Sequence, residues 1–345
     1  MIGMNFIDTG LELHRQRRNS RDFLVNSRDI CLQSNSNGKS RLLFKIDNKI
    51  HGGCVDETAH EQLAEKLKIP HEYYQRMQRE DHDLLDINVN RWLEHGSEFR
   101  LIRMLDGRVR AFLSSQYMRL DNLDVYNNIA PMFYKMTKQD VAAFMITPER
   151  LYIKIVLIKS AVAIQKNDIV ARGILISNSE VGRGNLRVEL FVYRLACENG
   201  LILPDAPQKK FRKVHRGAPI KNPCNCELPI DFGFTQEACE IFDQIRSIVH
   251  ETIVDARFEN AVEQLRESSR IPIEDAYEWI ARLAKKFRLD DDERLAIRMQ
   301  VPATSTLTLY DMINAVTASA HFAKNYKRAI ALERLGGEIL NSLVH

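Results

Sequence analysis

The chain has 345 residues, 45% of them hydrophobic, and a formal net charge of +3. That length and apolar content support one large or two ordinary globular domains and exclude a chain disordered throughout. No run of about 18 uninterrupted apolar residues occurs. The polar cluster His14, Arg15, Gln16, Arg17 and Arg18 interrupts the N-terminus before a signal-peptide core could form, so neither a membrane span nor secretion is expected.

Six cysteines (Cys31, Cys54, Cys197, Cys224, Cys226 and Cys239) without a secretory leader read as reduced thiols, which predicts a cytoplasmic setting. Charge is unevenly spread. Between residues 172 and 221 ten Lys or Arg stand against four Asp or Glu, a local excess of +6, whereas residues 227–300 carry more acid than base.

Residues 1–40 are polar and contain an echo: Asn19-Ser20-Arg21-Asp22 recurs seven residues later as Asn26-Ser27-Arg28-Asp29. The spacing fits one helix face, while Ser and Asp also favour turns, and an ordered N-terminal arm docked on the main body is expected. Residues 41–46 read as a strand, Gly52-Gly53 as a turn, and residues 57–67 as a helix ended by Pro70. Two more helices are expected over 71–77 and 83–93.

The period then changes to two. Residues 99–105 and 109–114 flank Asp106-Gly107, which suits a hairpin turn, and this hairpin carries Arg100, Arg103, Arg108 and Arg110. A helix over 121–136, capped by Asp121 or Asn122, precedes a second hairpin formed by 141–146 and 151–158. Strands at 169–176 and 186–195 enclose a glycine-rich loop, residues 177–185. After a Pro-, Lys- and Cys-containing linker from 203 to 229, helical spacing returns over 236–266, 273–287, 291–299, 309–322 and 326–343. Thr308 with Asp311 resembles a capping box. The expected fold class is α+β. It has a β-rich central body (41–229) with hairpins and an inserted helix, a helical N-terminal part and a helical C-terminal region (230–345).

Three stretches together resemble a known family. They are Gln62-Leu63-Ala64 with Ile69-Pro70 and Tyr73-Tyr74; Ser177-Asn178-Ser179-Glu180-Val181-Gly182-Arg183-Gly184 continuing to Arg194 through Gly200 and to Val214-His215; and Asn314-Ala315-Val316-Thr317. They are similar to the phage/plasmid-like proteins grouped as domain of unknown function 932, over roughly residues 40–325. One departure is Ala196-Cys197-Glu198, where the family has Val-Cys-Thr, so Glu198 adds a charge. The resemblance implies handling of mobile DNA, replication intermediates or host defence, and no assigned activity.

The glycine-rich loop can turn sharply at Gly182 and Gly184 and offer its backbone N–H groups together with Ser177, Asn178 and Ser179, which makes it a candidate anion-binding loop. It does not match a Walker loop, because no Gly-Lys-Ser/Thr follows. Hairpin geometry alone accounts for the same glycines. Lys209, Lys210, Phe211, Arg212, Lys213 and Arg216 place a dense cationic run around one aromatic, as expected for tracking a phosphate backbone with a base stacked on Phe211. A plain charged linker has the same composition.

Cys197, His215, Cys224 and Cys226 are a poor zinc set, since Cys-x-Cys lacks a second pair, and no metal or cofactor is expected. Asp121 and Asp124 could hold Mg²⁺ for phosphodiester cleavage, although helix capping explains them equally. His215 as general base with Cys197 as nucleophile would require the two to meet in space.

These readings converge on the expectation of a phage- or plasmid-type nucleic-acid-binding protein, with single-stranded DNA binding or annealing in replication or recombination, by a homo-oligomer, as its finer form. Arg100, Arg103, Arg110, Arg183, Arg187, Lys209, Lys210, Arg212, Lys213 and Arg216 would contact phosphates. A metal-dependent nuclease or other phosphoryl-processing enzyme, and an interaction protein that binds a host factor, are the alternatives.

Overall fold

The computed structural model describes residues 4–35, 37–133, 141–166, 168–204, 212–213, 215, 217, 223–229, 236–253, 256–304 and 306–342. Helix α1 (Phe6–Asn19) runs directly into β1 (Ser20–Asn26), followed by β2 (Ile30–Ser34), β3 (Ser40–Ile46) and β4 (Lys49–Val55). Helices α2 (Glu57–Lys66), α3 (His71–Glu80) and α4 (His82–His95) precede the hairpin β5 (Phe99–Leu105) and β6 (Arg108–Ser114). Next come α5 (Asn122–Phe133), β7 (Val141–Ile146), β8 (Leu151–Gln165), β9 (Asp168–Asn178), β10 (Leu186–Arg194), β11 (Asn199–Ile202), β12 (Arg212–Lys213) and β13 (Cys226–Leu228). The remainder is α6 (Gln236–Ile253), α7 (Arg257–Ser268), β14 (Pro272–Ile273), α8 (Ala276–Phe287), α9 (Asp291–Gln300), β15 (Leu307–Thr308), α10 (Leu309–Ala318) and α11 (Tyr326–Asn341). The fold is α+β, as the sequence pattern predicts. Among the described residues no helix is long and apolar enough to cross a membrane.

Two sheets organise the chain. The first has the order β13-β1-β5-β6-β4-β3-β2, and the second β11-β10-β9-β8-β7 with β12 also paired to β10. Strand alternation gives each sheet two faces. Phe23, Val25, Ile102, Met104 and Phe112 turn to one face of the first sheet and pack on Leu63, Tyr74, Leu85, Val89 and Leu93 of α2–α4. Leu101, Ala111 and Leu113 turn to the other and meet Val181 of the glycine-rich loop. In the second sheet Ile153, Ile155, Ile174 and Ile176 pack with Leu13, Val125, Ile129, Ile245 and Val249 from α1, α5 and α6. On its opposite face Tyr152, Leu175 and Phe191 pack with Ile330 of α11.

The described residues from 4 to 40 are ordered and packed on the main body, with β1 built into the first sheet itself. Phe23, Leu24 and Val25 are buried because β1 pairs with β5 along its whole length, in the interior of the first sheet. The two Asn-Ser-Arg-Asp copies do not share a helix face: the first opens β1, and the second forms the 3-10 turn that follows it. The change near residue 230 is one of secondary structure and not of packing, since α6 and α7 share cores with the second sheet.

Gly52-Gly53 is not a turn. Both lie within β4, and Asp47 and Asn48, at φ 48° and 60°, turn the hairpin instead. Asp106-Gly107 turns its hairpin as expected, at φ 51° and 75°. The Thr308–Asp311 capping box is present, each side chain bonding the other's backbone N–H.

Candidate functional site

The glycine-rich loop is the joint between the sheets, and its side chains are spent on that task. Asn178 donates to the Leu120 carbonyl at 2.8 Å and to Asn122 Oδ1 at 2.9 Å. Ser179 Oγ donates to the Glu149 carbonyl and accepts the Arg183 N–H. Ser177 Oγ accepts from Arg150 at 3.3 Å. All three residues are buried. The expectation that Ser177, Asn178 and Ser179 face an anion is therefore corrected: their polar groups point into the protein.

Gln62 of α2 locks the loop to the first sheet. Its Nε2 donates to the Val181 carbonyl at 2.7 Å, and its Oε1 accepts the Phe112 N–H at 2.8 Å, a ladder position that β4 leaves unpaired. Gly182, at φ 70°, fits because an added Cβ would lie 2.7 Å from Leu113.

A buried charge network explains the arginines of the first hairpin. Arg103 is 2% exposed and donates to Asp22 at 2.9 Å, to Asp121 at 2.7 Å and to the Glu180 carbonyl at 3.0 Å. Burial opposes its charge, and Asp121 and Asp22 overcome that and raise its pKa. Arg110 pairs with Glu180, whose other carboxylate oxygen accepts the Asn122 N–H at the start of α5. Arg17 binds Asp124 at 2.6 Å and approaches Asp121 at 3.7 Å. Burial pushes the Asp121 carboxyl up, but Arg103 and Arg17 hold it below the usual carboxylate range.

This network corrects several expectations. Arg103 cannot reach a phosphate from its closed cage. Arg100 is paired with Glu98 and Arg110 with Glu180, each with 11% of its side chain exposed, and Arg183 is paired with Glu61. Asp121 and Asp124 are bound by arginines and do not present a free carboxylate pair, so nothing here favours the nuclease reading. Cys197 lies beside Arg194 and His321, at the opposite end of β10 from the strand that leads to His215. All six cysteines are free thiols.

What remains is a cleft of about 290 Å³ on the outer side of the loop, lined by Lys66, Ser114, Gln116, Tyr117, Gly182, Gly184, Asn185 and His215. The His215 segment is held there by backbone bonds, Met118 N–H to the His215 carbonyl at 3.4 Å and Gly217 N–H to the Gln116 carbonyl at 2.8 Å. The His215 ring lies parallel to Tyr117, 5.1 Å between centroids, and Tyr117 donates its hydroxyl to the Ser179 carbonyl. Burial pushes the His215 imidazole down to about 4, so it is neutral near pH 7; with Nδ1 donating to the Met118 carbonyl at 3.0 Å, Nε2 carries the lone pair.

The basic segment reaches the same edge. β12 pairs with the start of β10, Arg187 opposite Arg212 and Leu186 opposite Lys213. Arg187 keeps 26% of its side chain exposed, and its one carboxylate neighbour among the described residues is Glu189 at 3.9 Å. Lys209, Lys210, Phe211 and Arg216 lie outside the described residues, as do the side chains of Arg212 and Lys213. Sequence reasoning missed Arg150, which follows a Pro-Glu turn and gives no local signal of a site. Its guanidinium lies against Gly184, where an added Cβ would come within 2.0 Å of Nη1, and donates to the Asn185 carbonyl at 2.8 Å.

A family model described as Domain of unknown function (DUF932) matches residues 114–333, a span that takes in the glycine-rich loop, β12 and the cleft's His215. No curated protein matches the chain, and no solved structure does.

Proposed function

We propose, for a chain that belongs to the DUF932 family and so takes no assigned activity from it, that the protein binds nucleic acid along the β10–β12 edge and the adjoining cleft. The observation that carries this reading is the register of β12. It brings the backbone of Arg212 and Lys213 beside Arg187 and Leu186, two residues before His215, which lines the cleft at the glycine-rich loop. Cations along one groove track a phosphate backbone, and their counterions are released on binding. Single-stranded DNA is the finer choice, because the sequence sets an aromatic, Phe211, among the cations, the composition suited to stacking an unpaired base. Strand binding or annealing in replication or recombination of phage or plasmid DNA, by a homo-oligomer, is the corresponding role.

Fluorescence anisotropy with labelled single- and double-stranded oligonucleotides across a salt series tests it. Affinity should fall steeply with salt. Charge reversal at Lys209, Lys210, Arg212 and Lys213 together should abolish most of it. Absence of binding at low salt by the wild-type protein would end the reading.

A further inference from the structure

The second sheet carries a concentration of guanidinium groups that its carboxylates do not neutralise. Tyr152, Ser177, Arg187 and Arg212 are successive cross-strand partners on β8, β9, β10 and β12, and the Arg150 guanidinium stands over the Tyr152 ring at 5.7 Å. Arg334 of α11 approaches the same region through Glu189, which it holds at 2.9 and 2.6 Å. Glu149, beside Arg150 in sequence, is taken by Lys327 at 3.1 Å.

Both neighbouring carboxylates are thus engaged. Among the described residues Arg150 has no carboxylate partner; its bonds go to Ser177 Oγ and the Asn185 carbonyl, and its Nε is buried without an acceptor. Arg187 has only the 3.9 Å approach to Glu189, and its Nε is likewise without a partner. Burial lowers the Arg150 pKa most; Tyr152 opposes it, and smaller effects follow from Arg187 and Arg334, which lower it further, and from Glu189, which raises it. A half-buried guanidinium next to like charges is costly unless an anion completes the group.

We infer that Arg150 and Arg187, backed by Arg334, form a binding site for a phosphate group, reached from the β10–β12 edge. Forked guanidinium donors match the tetrahedral oxyanion. Gly184 permits the site, because any side chain there would displace the Arg150 fork. The inference rests on the nucleic-acid reading only for the source of the phosphate.

The test uses the full chain and inorganic phosphate, followed by thermal shift against chloride at equal ionic strength and by calorimetric titration. Wild-type protein should be stabilised by phosphate. Arg150→Gln and Arg187→Gln should each weaken phosphate binding about tenfold, as expected for loss of a charge-assisted pair. Arg76→Gln, on an exposed helix face where Arg76 pairs with Glu80, should leave it unchanged. Should Arg150→Gln fail to fold, Arg187→Gln decides the matter. No phosphate effect in the wild type, or an equal effect in the Arg187 variant, overturns the site.

An oligonucleotide arm identifies the source. Parallel loss of phosphate and oligonucleotide binding in the variants supports a strand phosphate. Phosphate binding by a wild-type protein that ignores every oligonucleotide supports the site for a free phosphate or nucleotide, and overturns the nucleic-acid reading alone.

Discussion

Arg187 stands opposite Arg212 where β12 joins β10, so two cationic residues are cross-strand partners at a sheet edge. Like charges directly opposed destabilise a strand pair unless something anionic lies between or over them. Arg187→Glu should therefore weaken DNA binding severalfold and lower the slope of log affinity against log salt by about one. Anisotropy at several salt concentrations measures both, and an unchanged slope would remove Arg187 from the contact surface.

The Arg103 cage makes a stability prediction. Arg103→Met leaves Asp22 and Asp121 buried with one fewer counter-charge, and should cost about 3–5 kcal/mol in urea denaturation. By contrast Arg76→Met, which breaks a solvent-exposed pair with Glu80, should leave the denaturation midpoint nearly unchanged. Equal effects would contradict the buried-network assignment.

Acid should destabilise the fold before carboxylates titrate. Burial lowers both His60 and His215 from 6.5 to about 4, so the folded protein keeps them neutral while the unfolded chain takes up protons. Stability is then complete above pH 6.5 and is lost as pH falls toward about 4, by about 3 kcal/mol for each histidine. Denaturation curves across that window measure the loss. Replacing either histidine by Gln should remove part of the pH dependence, and a flat profile in the wild type would refute it.

Two glycines should fail for different reasons. At Gly337 an added Cβ would sit 1.9 Å from the Ile202 carbonyl oxygen, because α11 presses on β11, so Gly337→Ala should cost about 1–3 kcal/mol through overpacking. Gly107 has open space around it but φ of 75°, so Gly107→Ala should cost about 1 kcal/mol through backbone strain alone. Thermal denaturation of the two variants compares them, and a larger loss at Gly107 would reverse this ranking.

Local signals were legible in the sequence. Asp106-Gly107 marks its hairpin, Thr308 and Asp311 mark a helix start, and the glycines of residues 177–185 mark the connection between β9 and β10, because each depends on residues close in the chain. The first strand was not: Phe23-Leu24-Val25 is too short a run to declare a strand, and β1 exists because β5 supplies its partner some eighty residues later. The role of Arg103 was hidden for the same reason. A basic hairpin looks like a phosphate surface until Asp22, Asp121 and Glu180 arrive from three distant segments. Arg150 gave no local signal, since what distinguishes it among the described residues is that its neighbouring carboxylates, Glu149 and Glu189, are held by Lys327 and Arg334.

The network around Arg103 also orders events during synthesis. Arg103 and Arg110 draw on Glu180, which is made 77 and 70 residues after them. The first sheet can collapse on α2–α4 earlier, but its outer face must hold Arg110 without its counter-charge and leave Gln62 without the Val181 carbonyl. Long-range contacts of this kind close late. A nascent chain halted before residue 180 therefore carries a sheet covered by α2–α4 on one face and, on the other, Leu101, Ala111 and Leu113 still waiting for Val181 beside an Arg110 without its counter-charge.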